Sequence, residues 1–374
     1  MNKKLIHKET LINLCAAAVP QRVRFGRTVR LAAAGILVCI MYISCSDPIF
    51  HQIEAEVKPK EPKIEGSPSK IVSDDSGNLY TANGSIWKWN GSSWNKEGSP
   101  ADGIRDVAWA GGALYALSVD NVTTKLFRRD PGTGGWGQVG NASSYGFLQA
   151  VYGAGSRLYV SASKDNSFHV LIFRNDRLEE TDFHAQIFGA AVDGGNIYFA
   201  AKSAVFKTAP SDENLNNLAP IDDSKDKGDW VGMAADAGAN TVAAVSRTGY
   251  VCIVKNGAAQ VAKKENSYYY TGAVGFWNKG ALNYLLIGMR GSSYTNGYRE
   301  LEIQDGSIDT WPYGSPSISV ASPEKYNSTL GVHALTAIMQ APGSSLSAEG
   351  HPLLFASTQQ NGLWSYRGVW NAEE

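Results

Sequence analysis

One short pattern returns seven times from residue 71 onward: a strand of small apolar residues, a Gly-bearing turn, then a strand centred on a large side chain. The copies read IVSDDSGNLYTA, DVAWAGGALYAL, AVYGAGSRLYVS, AAVDGGNIYFAA, GMAADAGANTVAAV, AVGFWNKGALNYLLI and an interrupted LTAIMQ…LLFAST. Their central residues are Tyr80, Tyr115, Tyr159, Tyr198, Val242, Tyr284 and Phe355. A second hairpin follows each copy, from IWKWNGSSWNKEG to LWSYRGVWNAE, and most turn on Asn-Gly, Asp-Gly or Asp-Pro-Gly. Those residues tolerate the positive φ of tight hairpins. Four strands per unit at a period of roughly 40 residues is the arithmetic of a radial blade array.

Residue size points the same way. The first strand of each copy collects Ala, Gly and Val, while the third and fourth collect Trp and Phe. Strands near an axis are crowded, and strands at the rim diverge and need bulk. A two-sheet sandwich has no reason to grade size in every repeat. The expectation is an all-β, seven-bladed β-propeller of four-stranded antiparallel blades over 71–374, preceded by a signal peptide (1–44) and a lipidated Cys with a flexible tether (45–70). With 374 residues, length alone would suggest two or three domains, but a repeat lets one architecture run long.

The turns "LYALSVDN…RRDPGTGGWGQVG" and "NGSIWKWNGSSW" resemble repeats of Kelch, PQQ-type and regulator-type bacterial propellers, a likeness spanning Ile71 to Glu374. The resemblance implies architecture and says little about activity. The PQQ-like repeats also resemble the propeller lipoprotein of outer-membrane barrel assembly, which usually has eight blades against the seven counted here. Ser73 to Tyr80 (SDDSGNLY) resembles the Asp-box of sialidase-like propellers. It occurs once, between first and second strands rather than the last two, so it reads as turn chemistry.

Leu31 to Ser44 (LAAAGILVCIMYIS) is an uncharged apolar run of 14 behind an arginine-rich flank. A spanning helix needs ~20 apolar residues, so the run reads as a signal-peptide core. It ends in Ile43-Ser44-Cys45-Ser46, which resembles a bacterial lipobox of the looser spirochaete or Bacteroidetes type, with Tyr42 where Leu is usual. The resemblance implies diacylglyceryl modification of Cys45 and export. The protein would then be anchored to the inner or outer membrane on its periplasmic face, or displayed at the cell surface. The alternatives are an uncleaved short anchor or cleavage elsewhere. A leader of 44 residues is long, and a start near Val23 would make it ordinary. From Ser46 to about Lys70 the chain is rich in Pro, Lys and Glu without apolar periodicity, the composition of a tether.

Seven basic residues and one acid precede Cys45; removing them leaves 27 basic against 34 acidic residues, a net of −7. An acidic body without a basic stripe is a poor polyanion binder, which argues against nucleic acid as a partner. Cys252 is the lone cysteine after Cys45, so no intramolecular disulfide staples the fold, and its spacing from Tyr250 and Val254 suits a buried strand residue.

The chain lacks HExxH, CxxC, P-loop and GxSxG motifs, so no catalytic residue, cofactor or metal site is expected. His169, His184, His333 and His351 are scattered and read as surface or strand-edge residues. The acidic run Asp222 to Asp229 departs from the EF-hand pattern and reads as a solvated loop. Arg105, Arg247 and Arg290 could meet at a channel mouth as an anion clamp, but solvated arginines are the default.

One distribution is less bland. The segments Pro220 to Trp230, Lys263 to Thr271, Met289 to Tyr298 and Trp311 to His333 read as long loops sharing one face over blades 5 to 7. They carry Trp230, Tyr268, Tyr269, Tyr270, Tyr294, Tyr298, Trp311, Tyr313 and Tyr326. Tyr and Trp give large contact area at low entropy cost and concentrate in binding hot spots. The rings could equally pack the loops onto the propeller. The leading expectation is a membrane-anchored, non-enzymatic scaffold for a protein or glycan. The rivals are a periplasmic sialidase-like hydrolase or lyase, and a scaffold of outer-membrane protein assembly.

Overall fold

A computed structural model describes residues 62–139, 142–236, 238, 240–263, 269–279, 282–290, 297–303, 334–343, 353–366 and 370–373. These residues form seven antiparallel sheets, each built from strands consecutive in sequence, arranged as a seven-bladed β-propeller. Six blades have four strands; among the described residues blade 6 has three, Tyr269–Lys279, Leu282–Arg290 and Gly297–Ile303. The described residues contain no α-helix; short 3-10 turns include Ala142–Tyr145 and Asp222–Ser224.

The seven central residues all fall on the second strand of their blades. Tyr80, Tyr115, Tyr159, Tyr198, Val242 and Phe355 are buried, and Tyr284 is half-buried. Seven apolar clusters hold the ring, each between consecutive blades. Leu117 and Leu126 of blade 2 meet Leu148 and Leu171 of blade 3, and the equivalents recur round to blades 6 and 7. The seventh cluster closes the circle. Trp89 and Trp94 of blade 1 clasp Phe355 of blade 7, with ring centroids 4.8 and 5.2 Å from that phenyl.

The same seam corrects the expected tether. Pro62 and Pro68 are buried and Ile64 is only 1% exposed, so the packed domain begins before residue 71. Lys63 N–H donates to the Glu373 carbonyl, Gly362 N–H to Gly66 and Leu363 N–H to Ile64. The Ser357 hydroxyl donates to the Ser69 carbonyl at 3.2 Å. The segment thus laces blade 7 to blade 1. It lacks periodicity because it makes a strap rather than an element of a blade, which is why composition alone reads it as tether.

The inner strands are as crowded as their composition implies. A Cβ on Gly153 would lie 2.9 Å from the Trp109 carbonyl carbon and overlap its oxygen. One on Gly275 would overlap the Ile338 carbonyl oxygen in the same way. In blades 2 to 7 the pairing of first and second strands shifts by a β-bulge near the start of the first strand, a device that re-aims side chains where the sheet meets the axis.

Candidate functional site

The first strands surround an axial cavity of about 840 Å³ to which all seven blades contribute. Its wall mixes polar groups with apolar side chains, including Trp109, Phe188, Met233, Phe276 and Met339. One charged pair stands out in it. Asp106, just past the bulge in Ile104–Ala110, is buried and ion-pairs with Lys70, which precedes the first strand of blade 1. Asp106 also accepts from the Val151 N–H at 3.0 Å and the Val107 N–H at 3.0 Å. Lys70 Nζ lies 4.7 Å from the Tyr152 ring centroid, and the Tyr152 hydroxyl donates to the Ile187 carbonyl at 3.2 Å. Burial, then the Asp106 charge, push the Tyr152 phenol well above its ordinary range. The Lys70–Asp106 pair ties the strap and blades 1, 2 and 3 together, and each charge is answered inside the cluster. No motif announces it, since partners 36 residues apart meet only once the ring has formed.

Neither Arg105 nor Arg247 lines this cavity. Both are exposed, so the structure does not draw them into a clamp there. The acidic run after Pro220 is organised by its own side chains. Asp222 pairs with Lys225 at 2.8 Å, which lowers the Asp222 carboxyl, and the buried Ser224 hydroxyl donates to the Ile221 carbonyl at 2.6 Å. The single Asp-box-like stretch is an Asx-type turn: Asp74 accepts from the backbone of Ser76 and Asn78 and from the Tyr80 hydroxyl at 3.1 Å. Blade 4 repeats the device with Asp193 and Tyr198 at 2.8 Å.

The aromatic set divides. Trp230, Tyr270 and Tyr298 are buried, at 0%, 2% and 2% exposure. Trp230 opens the first strand of blade 5 and its indole N–H donates to the Ser224 carbonyl at 3.0 Å. Tyr269 and Tyr270 open the first strand of blade 6, and Tyr298 lies in its third. These positions correct the loop boundaries expected from sequence, and for the three buried rings the packing role applies. Tyr268, Tyr294, Trp311, Tyr313, Tyr326 and the Tyr269 side chain lie outside the described residues, as do Cys45 and the leader.

Because strands alternate in direction, links from fourth to first strand and from second to third share one face of the ring. On that face second-to-third links hold one to four residues in six blades and six (291–296) in blade 6. Links into the next blade hold five to nine residues, except that 304–334 separates the last described strand of blade 6 from blade 7. The link into blade 6, 264–268, is therefore among the short ones, against expectation.

His169 and His184, expected to stand apart, meet instead across Glu180. His169 Nδ1 hydrogen-bonds Glu180 Oε1, and His184 Nδ1 lies 3.7 Å from the same oxygen. Sequence carried a faint signal for half of this. The hairpin turning on Asn175 and Asp176 pairs Leu171 with Glu180, which brings His169 and Glu180 to one face.

No protein-family model matches the chain, and neither does any curated protein. Among solved structures it is similar to the β-propeller domain of Cps50 (Swd1) from Myceliophteria thermophila, at 12% identity, covering 83% of this chain and 100% of that one with a TM-score of 0.55. The WD40 β-propeller domain of Doa1 matches at 10% identity over 84% of this chain and 96% of that one, with a TM-score of 0.49. The Cps50 likeness shows the fold alone.

Proposed function

We propose that this protein is a non-enzymatic scaffold, held at the cell envelope by a lipid on Cys45, that captures a protein or glycan through the loop face of blades 5 to 7. The observation that carries the reading is the unequal allotment of chain in blade 6: 291–296 is longer than the second-to-third link of every other blade, and 304–334 is longer than the stretch between third strand and next first strand in blades 1 to 5. Those two segments hold Tyr294, Trp311, Tyr313 and Tyr326, while Trp230, Tyr270 and Tyr298 pack in the core between blades. Ring closure through interblade clusters supports a rigid platform for recognition. The mutual neutralisation of Lys70 and Asp106, and the position of Arg105 and Arg247 away from the cavity wall, favour binding over sialidase-type hydrolysis. Fold alone does not choose, because propellers host many functions.

The test replaces Tyr269, Tyr294 and Trp311 with Ala and measures crosslinked capture from intact cells beside a thermal melt. Exposed hot-spot rings contribute ~2 kcal/mol or more of binding each and little folding energy. Core rings cost ~3–5 kcal/mol each on truncation. The expected result is lost capture with an unchanged melt. A collapsed melt makes the rings structural, and undiminished capture moves the site elsewhere. Fatty-acid labelling that marks the wild type and spares Cys45→Ala checks the anchor.

A further inference from the structure

His169, Glu180 and His184 do more than share a surface. His169 sits on the third strand of blade 3 (Ser167–Arg174), Glu180 ends the fourth (Arg177–Glu180), and His184 lies on the link 181–186 into blade 4. One nitrogen from each ring and one carboxylate oxygen lie within 4.8 Å of one another. The two imidazoles stand edge to face with centroids 5.3 Å apart. A tetrahedral Zn²⁺ with bonds of ~2.0–2.2 Å spaces its ligand atoms roughly 3.4 Å apart. The His184–Glu180 separation is 3.7 Å, so that pair needs only a few tenths of an ångström to close.

We propose that His169, Glu180 and His184 form a binding site for a divalent transition cation of the zinc class. Two imidazoles and a carboxylate suit zinc, copper, nickel or iron, whereas calcium and magnesium demand oxygen ligands. His169 is held in a paired strand and is the most covered of the three, at 22% side-chain exposure, so it anchors the set. His184, at 57%, has the freedom to swing onto a cation. Three protein ligands leave a coordination position for water or a partner's donor, the open class of site rather than the closed structural one. Bound metal would cross-link the outer hairpin of blade 3 to the link 181–186. That link borders a groove formed by Phe168, Ala185, Gln186, Lys202 and Asp229. The site is independent of the binding role proposed above.

The test uses the full chain without a polyhistidine tag, stripped of metal with a chelator and titrated with Zn²⁺ against a chromophoric competitor. Co²⁺ then reports ligand geometry through its visible absorption. The site predicts one saturable equivalent and a Co²⁺ band. His184→Ala, an exposed change that leaves the strands intact, should weaken binding by at least roughly tenfold, as should Glu180→Gln. The double change His169→Ala/His184→Ala should abolish both signals while the far-ultraviolet dichroism stays native. Absence of saturable binding in the wild type overturns the proposal and leaves His169–Glu180 an ordinary surface pair. Binding retained at full strength in the double variant overturns it too, by placing the metal elsewhere.

Discussion

Gly153→Ala should be among the most damaging single-methyl additions this chain can suffer. The added Cβ would meet the Trp109 carbonyl, 2.9 Å from its carbon and overlapping its oxygen, where first strands of blades 2 and 3 pass each other at the axis. The obstacle is backbone, held in a ladder by the Trp109–Leu114 pairing, so it cannot rotate aside as a side chain would. Overpacking a tight core costs ~1–3 kcal/mol, and an immovable neighbour puts this site at the upper end. For a domain spanning 62–373 each kcal/mol shifts the melting midpoint by ~1.5 °C, so the expected loss is about 4–5 °C. Gly98→Ala, where a Cβ meets nothing within 4 Å, is the control and should change the midpoint by less than about 1 °C. Scanning calorimetry of both variants beside wild type reads the difference. If Gly153→Ala melts with the control, the inner strands are not in close contact, and the explanation of the Gly- and Ala-rich first strands by axial crowding is wrong.

Further outcomes follow from burial and charge. Burial, and secondarily the Asp223 charge, push the Cys252 thiol up to about 12, so at pH 8 about one molecule in ten thousand carries the thiolate. Native wild type and Cys252→Ser should therefore consume equal amounts of a thiol reagent, and wild type one equivalent more in denaturant; extra reaction in the native state would contradict the buried assignment. Desolvation, then Asp74, raise the Tyr80 phenol to about 12, so the folded chain holds that proton more tightly than the unfolded one. Its contribution is complete below pH 10 and lost as pH climbs through 12; urea midpoints should fall across that window, less steeply in Tyr80→Phe, and identical slopes would refute the role. Limited trypsin digestion should leave a core whose first residue precedes Pro62, because the strap is hydrogen-bonded to blade 7; a rapid cut after Lys70 would show that the strap is not docked.

Much of the architecture was legible in sequence because it is local and repeated. Each blade is a run of consecutive hairpins, so turn chemistry and the small-to-large gradient of residues report it copy by copy, and Tyr80, Tyr115, Tyr159 and Tyr198 mark equivalent strands. Cys252 reads correctly for the same reason: alternation along one strand decides its burial. Periodicity failed where its period was broken. It placed Tyr270 and Tyr298 in loops, whereas the strands of blade 6 extend past the repeat length and bury both rings. It also discarded 62–70, whose contacts belong to blades at opposite ends of the chain.

What sequence alone determined, then, is the blade and the count of blades, since those depend on neighbours within some forty residues. Tertiary structure alone decided everything that closure creates. Phe355 meets Trp94, Lys70 meets Asp106, and blade 7 accepts the strap because the ring brings distant segments to one seam. His184 reaches Glu180 by the path of a link between blades, which no spacing in the chain encodes. Hairpins are set by the residues that turn them, while a site between or beyond hairpins is set by how their faces pack.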